Sequence, residues 1–137
     1  MLVRQLAVFL ENRSGSLVEA ITVLEDEGLK LISSCVTSTM EFGVLYLILD
    51  DPERGRRVLR DQGVTCRISD VAVVLVDENE GISSVLKRLY EEGVNVEYLY
   101  TFSQRPSGKT WMAFRCNDTE QAVKTIRNLP GVQAEDK

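Results

Sequence analysis

The sequence predicts an α+β protein made of two tandem ferredoxin-like βαββαβ plaits, each an antiparallel sheet with helices on one face. Three observations lead to this class. The chain matches itself at a shift of 65 residues, so that the apolar run at residues 7–10 returns at residues 72–75. Strand-like and helix-like apolar periods follow one another in the same order in each half. The chain has 137 residues, of which 44% are hydrophobic, so two small cores that support each other are expected.

The first copy is predicted to span residues 1–69 and to begin with a strand at residues 2–10, which ends at a polar turn. A helix follows, because apolar residues recur at helical spacing until Gly28. These apolar residues are Leu17, Ala20, Ile21 and Leu24. The β-branched and aromatic residues at 29–39 and 42–49 then favour two strands.

The remainder of the first copy starts with Asp51 and Pro52, which are typical of a helix N-cap and a first helical residue. Gly63 ends this helix, and residues 64–68 supply a closing strand. The predicted element order is therefore βαββαβ.

The second copy is predicted to span residues 70–137 and repeats this order. Its first helix carries an apolar stripe at i, i+3, i+4 and i+7, formed by Ile82, Val85, Leu86 and Leu89. Residues 94–102 alternate as a strand with three aromatic side chains on one face, and residues 111–116 pair back with it. Asn117 or Asp118 caps the last helix, and a short strand completes the copy.

The two copies follow each other without a linker, since residues 68–71 contain neither glycine nor proline. Residues 71–76 are apolar at every position, which indicates a strand that is covered on both faces. We expect a homodimer to provide this cover. The alternative is that the neighbouring copy of the same chain suffices.

Charge and cysteine content exclude several classes of protein. The net charge of -5 argues against a nucleic-acid partner, which would need a basic surface. Cys35, Cys66 and Cys116 lack paired spacing, which is typical of reduced thiols in a cytoplasmic protein and predicts neither a metal site nor another cofactor. The apolar N-terminal stretch is too short to span a bilayer and lacks a cleavage site, so neither membrane insertion nor export is predicted.

Catalytic residues are not expected either. The chain contains no histidine, the one side chain whose unperturbed pKa lies near neutral pH. No serine or cysteine lies in a recognised nucleophile motif. The sequence therefore predicts that the protein is not an enzyme.

Several motifs resemble the ACT domain, an amino-acid-binding family. The first copy carries FLENRSGSL at residues 9–17, FGVL at residues 42–45 and DDPE at residues 50–53. Residues 70–135 resemble a second ACT domain, with VNVEYLYTF at residues 94–102. The resemblance covers almost the whole chain and is greatest to small stand-alone proteins with two ACT domains.

This resemblance implies an amino acid effector at the interface between ACT copies, bound through the turn between the first strand and the first helix. The ligand-binding residues that it implies in the first copy are Asn12, Arg13, Ser14, Gly15, Ser16 and Leu17. Those in the second copy are Asp77, Asn79, Glu80, Gly81 and Ile82. Tyr98 and Tyr100 are further candidates for lining a pocket, with core or interface packing as the alternative.

The chemistry of a helix start agrees with this implication. Unpaired N–H groups and a partial positive charge attract a carboxylate, and glycine lets it approach closely. Asn12 and Asp77 offer oxygen atoms to an ammonium group. A structural alternative explains the same residues, because Ser16 with Glu19 matches a capping box and Asn79 is an ordinary N-cap.

The two turns differ in the placement of glycine. In the ungapped alignment Gly15 falls on Glu80, and Gly81 falls on Ser16. Either the second turn is shifted by one residue, or only the first turn binds and the second is structural or receives an ammonium group. We expect inequivalent sites.

Together these observations predict a non-catalytic, amino-acid-binding regulatory protein of the cytoplasm, with a biosynthetic enzyme as a candidate partner. The alternative is an interaction module, or a regulatory subunit of a biosynthetic enzyme, that binds no small molecule. A thermal-shift screen with amino acids separates the two, because only the first would be stabilised.

Overall fold

The computed structural model describes residues 2–11, 15–38, 42–77, 79–102 and 108–133. Contacts divide the chain into two compact units. The first unit is Arg4–Ser69, and the second unit is Asp70–Lys137 together with Met1–Val3. A separate hydrophobic core lies in each unit.

The first unit has the order strand, helix, two strands, helix, strand. Its elements are β1 (Leu2–Glu11), α1 (Ser16–Asp26), β2 (Leu31–Ser38), β3 (Phe42–Leu49), α2 (Pro52–Asp61) and the start of β4 (Cys66–Asp77). The strand order is β2-β3-β1-β4. Alternate residues of β1 and β3 pack against both helices, so both helices lie on one face of the sheet.

The second unit repeats this arrangement. After the remainder of β4 come α3 (Gly81–Glu91), β5 (Val96–Phe102), β6 (Lys109–Cys116), α4 (Thr119–Ile126) and β7 (Val132–Gln133). The strand order is β5-β6-β4-β7, and alternate residues of β4 and β6 pack against α3 and α4. The prediction of two tandem ferredoxin-like plaits is confirmed.

The helix starts predicted from capping residues are also confirmed. Asp51 is the N-cap of α2, and its side chain accepts a hydrogen bond from the Arg54 N–H at 3.2 Å. In α4 the N-cap is Asp118, whose carboxylate accepts from the Gln121 N–H at 3.1 Å. Asn117 instead accepts a hydrogen bond from the Asn95 N–H.

The chain passes from one unit to the other within a single strand. The two strands predicted at residues 64–68 and from residue 71 onward are one uninterrupted strand, β4. Val71 and Val73 alternate with the core residues of this strand and are nevertheless buried in the single chain. Their apolar character therefore does not by itself require a second chain, and the homodimer stays a prediction.

The two plaits do not align at one constant shift. Leu6 and Ala72 occupy equivalent core positions in β1 and β4, 66 residues apart. In the helices that follow, the buried residues Ala20 and Val85 are equivalent, 65 residues apart. The ungapped alignment is thus wrong in the first strand, since a slip of one residue turns each side chain to the opposite face. The strand–helix turn is one residue shorter in the second unit.

The helices of the described residues are short. The longest, α1 and α3, have 11 residues each, and none in this part of the chain combines the length and apolar character that a membrane span of about 20 residues requires.

Candidate functional site

The turn between β1 and α1 lies beside a cavity of about 580 Å³. The described residues that line it all belong to the first unit: residues 9–11 at the end of β1, one face of α1, Leu59, and residues 62–65 between α2 and β4. The volume falls within the range of roughly 300–1,000 Å³ that is usual for small-molecule sites. The first unit by itself therefore has room for a small ligand.

The cavity has a buried floor and an exposed rim. Ser16 and Ala20 lie one turn apart on α1 and face Leu59 of α2 across the floor, and all three residues are buried. The exposed lining residues are Glu11, Val18, Glu19, Thr22, Gln62, Gly63 and Thr65. A ligand that enters between α1 and the turn after α2 would thus reach a largely apolar floor.

The Ser16 hydroxyl is the polar group of this floor. Ser16 is 8% exposed, and its Oγ is shielded from solvent without a hydrogen-bond partner among the residues that the structure describes. A buried polar group in this state costs roughly 1–3 kcal/mol. A ligand atom in the cavity would relieve this cost by hydrogen bonding to Oγ.

The predicted capping box of Ser16 and Glu19 is wrong. The N-cap of α1 is Gly15, Ser16 is the first helical residue, and within the described part of the chain no side chain caps this helix. Ser16 therefore points inward from the first turn and does not satisfy the helix start. Glu19 still lies near this start, because its Oε2 would be 4.0 Å from a Cβ built on Gly15.

Gly15 is required by the backbone conformation. Its φ of 93° lies in the left-handed region, which side chains other than hydrogen rarely adopt. The next predicted site residue, Leu17, is 40% exposed, so its predicted place on the buried face of α1 is wrong. It lies near the rim of the cavity, next to the lining residue Val18.

Packing closes the corresponding turn of the second unit. Gly81 is the first residue of α3, and a Cβ on it would lie 2.6 Å from the Cβ of Val76. Because the turn is one residue shorter, the helix start lies directly against the strand, and only glycine fits. Packing thus explains Gly81 without a ligand.

The other polar residues of the second turn have internal partners or are exposed. Asp77 accepts a hydrogen bond from Lys109 Nζ at 2.6 Å, and its N–H donates to the Gly131 carbonyl at 3.2 Å. The prediction that Asn79 caps α3 is wrong, because the N-cap is Glu80. Asn79 and Glu80 are both exposed.

The remaining candidates of the second copy belong to its core and its aromatic strand. Ile82 packs against the second core. Tyr98 and Tyr100 are half-buried on β5, and the Tyr100 ring lies 6.3 Å from that of Phe102, which stacks on Trp111. These side chains do not line the cavity of the first unit.

Some of the cavity residues were predicted and others were missed. Gly15 and Ser16 were predicted and lie at the cavity, whereas the predicted residues Asn12, Arg13 and Ser14 lie outside the described residues. Residues 62–65 were missed, because only tertiary packing brings this turn next to α1. Glu19 had been noticed only as a capping residue.

The cysteines do not have the character of nucleophiles. Burial raises the pKa of Cys66, against the opposing effect of Arg56 and Arg60. Burial, with a smaller contribution from Glu97, raises the pKa of Cys116 to about 11. Both are neutral thiols at physiological pH, whereas reactive cysteines are thiolates. Within the described residues no group of three or more His, Cys, Asp or Glu side chains is placed to hold a metal ion.

Comparisons with known proteins agree with this architecture. The sequence profile described as ACT domain pair matches residues 1–136. No curated protein matches the chain. Among solved structures, protein BT0572 from Bacteroides thetaiotaomicron is 29% identical with a TM-score of 0.88, and the match covers 98% of this chain and 93% of that one.

Two further structures share the fold at low identity. The regulatory subunit of aspartate kinase from Thermus thermophilus, in its ligand-free form, is 12% identical with a TM-score of 0.64, and the match covers 90% of each chain. Aspartate kinase from Clostridium acetobutylicum is 16% identical with a TM-score of 0.51, over 91% of this chain and 32% of that one. The profile match over almost every residue, together with the doubled plait, shows that this chain belongs to the ACT domain pair family.

Proposed function

We propose that this protein is a non-catalytic regulatory protein of the cytoplasm that binds an amino acid effector in the cavity of its first unit. The observation that carries the proposal is the buried Ser16 hydroxyl, which lacks a partner in the described residues and lines a cavity of ligand size. Family membership supports the regulatory role, and one of the similar structures is named as a regulatory subunit of aspartate kinase.

The cavity wall has the composition of a small-molecule site. Such sites are mostly apolar, with a few polar groups that orient the ligand. Leu10, Ala20 and Leu59 provide apolar surface, and Ser16 and Gln62 provide groups that both donate and accept hydrogen bonds. The start of α1 adds backbone N–H groups that favour a carboxylate. An amino acid offers matching groups for each of these surfaces.

Binding in this place would act on the relative position of two elements. A ligand in the cavity touches α1 on one side and the turn between α2 and β4 on the other. It therefore favours the arrangement of these elements that gives it the most contacts. A partner protein that recognises the same arrangement would be coupled to the effector, typically by about 1–3 kcal/mol.

A screen of the common amino acids by thermal shift and calorimetry tests the proposal. An effector at about a hundred times its Kd is expected to stabilise the protein by roughly 2.7 kcal/mol. Thr22→Trp, on the exposed rim, is expected to block the cavity and abolish this shift. Lys87→Trp is the matched control, because Lys87 is exposed at the equivalent position of α3, 65 residues later. No stabilisation by any amino acid, or normal binding by Thr22→Trp, would reject the proposal.

A second candidate function is an interaction module that assembles as a homodimer or with a biosynthetic enzyme. Leu17 and Val18 favour it, since these apolar side chains are 40% and 66% exposed on adjacent positions of α1. Sedimentation of the wild type and of Val18→Asp tests whether this surface holds a second copy. Equal masses for both variants, at all concentrations, would remove the argument for the homodimer.

A further inference from the structure

We infer that the cavity of the first unit selects a cationic amino acid, one whose side chain carries an amine or a guanidinium group. The inference rests on the proposed function and specifies the ligand class of the same site. It follows from the charges on the cavity wall, their comparison with the second unit, and the shape of the floor.

The cavity wall carries two negative charges. Glu11 contributes one from the end of β1, and Glu19 contributes the other from α1. Among the described lining residues there is neither a lysine nor an arginine. A ligand with net negative charge is repelled by such a wall, and a ligand with two cationic groups matches both carboxylates.

Glu19 lies close to the start of α1. Its Oε2 is 4.0 Å from the place of a Cβ on Gly15, so this carboxylate shares the helix start with the first backbone N–H groups. A carboxylate alone would meet the charge of Glu19 there. The head of an amino acid avoids this conflict, because its ammonium group can face Glu19 while its carboxylate faces the N–H groups.

Glu11 provides the second charge, and the two units differ at this position. In the strand register Glu11 lies opposite Phe42, which is uncharged. The equivalent residue Asp77 lies opposite Lys109 and accepts its hydrogen bond. The second unit thus supplies a cation from its own neighbouring strand, whereas the first unit places an uncharged residue there. A cationic ligand side chain would supply that charge in the first unit.

The floor suits the long side chain of such a ligand. Ala20 and Leu59 are buried and apolar, and they lie between the polar rim on one side and Ser16 on the other. The methylene chain of lysine or arginine can cover apolar surface while its charged end stays in contact with water at the rim. A short side chain would leave much of the 580 Å³ unfilled.

Calorimetry of the full chain with L-lysine, L-arginine, L-leucine and L-glutamate tests the inference. Lysine, arginine or both are expected to bind about tenfold more tightly than leucine, and glutamate is expected not to bind. Glu11→Gln and Glu19→Gln are each expected to weaken lysine binding roughly three- to fivefold, as for exposed ion pairs. Glu120→Gln, which changes a first-turn glutamate of α4, is the control and is expected to leave lysine binding unchanged.

The outcomes separate this inference from the proposed function. Leucine or glutamate binding as tightly as lysine, or lysine binding that neither glutamine variant weakens, would overturn the inference and leave an amino acid sensor. Absence of binding by every amino acid would overturn both. Cadaverine has two amines and no carboxylate, so its binding as tightly as lysine would overturn the assignment of an amino acid ligand.

Discussion

The first unit has a cavity at the turn between its first strand and first helix, whereas the second unit packs the same turn shut. Ser16 begins α1 beside open space, and its counterpart Gly81 begins α3 in direct contact with Val76. The second turn is one residue shorter, which draws the helix start onto the strand. The difference teaches that a single residue of turn length can convert a binding site into a structural contact within one duplicated fold.

The same comparison separates stability from function. In the second unit Asp77 has Lys109 as a partner and Gly81 fills its place without a void. In the first unit Ser16 Oγ is buried without a partner in the described residues. Unsatisfied groups of this kind lower stability and are expected where a ligand completes the structure. The first unit therefore has the features of a sensor, and the second has those of a support.

The largest expected effect is at Gly81. Gly81→Ala places a methyl group 2.6 Å from the Val76 Cβ, and such overpacking against a rigid branched residue is expected to cost about 2–3 kcal/mol of the free energy of unfolding. Gly15→Ala meets open space but adopts a left-handed φ, so its cost is expected to be about 1 kcal/mol. Urea denaturation of both variants measures the difference.

The contact with Val76 has its own control. Val76→Ala is expected to destabilise by itself and to recover part of the loss when combined with Gly81→Ala, because it removes the opposing side chain. Additive effects in this cycle, or equal costs for the two glycine variants, would contradict the view that packing decides the second turn.

A second difference between the units is expected at alkaline pH. The pKa of Cys116 is raised to about 11 in the folded state, against 9.0 as its reference value. The unfolded chain therefore loses this proton first, so the free energy of unfolding falls as the pH rises from about 9 to 11. We expect a loss of about 1–2 kcal/mol, which Cys116→Ala abolishes.

Cys66 is the control in the first unit. Its pKa is also raised by burial, but Arg56 and Arg60 oppose the rise. Urea denaturation at pH 8, 9, 10 and 11 is expected to show a smaller change of slope in Cys66→Ala than in Cys116→Ala. The reverse order would place the alkaline sensitivity in the first unit.

An opposite effect on stability and binding is expected at Ser16. Ser16→Ala removes a buried hydroxyl without a partner in the described residues and introduces a better helix former, so a gain of about 1 kcal/mol is expected. The same change is expected to weaken the effector found in the amino acid screen. Denaturation and calorimetry measure the two quantities on one protein preparation.

Ser33→Ala is the matched control. Ser33 is likewise buried with an Oγ that has no partner in the described residues, but it lies on β2 and does not line the cavity. Its substitution is expected to leave effector binding unchanged. If Ser16→Ala lowered stability, or if it bound the effector as tightly as Ser33→Ala does, the role of the Ser16 hydroxyl would be refuted.

The smallest effect is expected at the ion pair of the second turn. Asp77 and Lys109 are 49% and 33% exposed, so Lys109→Met is expected to cost about 0.5 kcal/mol and to make stability less dependent on salt. Denaturation at low and high ionic strength measures this change. A cost of several kcal/mol would mean that the pair, and not the contact of Gly81 with Val76, holds the second turn closed.

The amino-acid sequence by itself determined the duplicated plait, the order of its elements and the helix starts at Asp51 and Asp118. These features are local, because apolar spacing and capping groups act within a few residues of chain. The relation of the first strands was not predictable in this way. Two shifts that differ by one residue both place apolar residues in alternation, and only the pairing of β4 with β6 shows which side chains face the core.

Tertiary structure decided where a ligand can bind. Residues 62–65 reach the cavity from a turn that is more than 45 positions beyond Ser16, and the unpartnered hydroxyl is visible only after α1 is packed. A glycine before a helix looks the same in both copies, yet Gly15 serves a left-handed turn and Gly81 a close contact. The physical reason is that cavities arise from the fit between distant elements, which no local pattern of residues specifies.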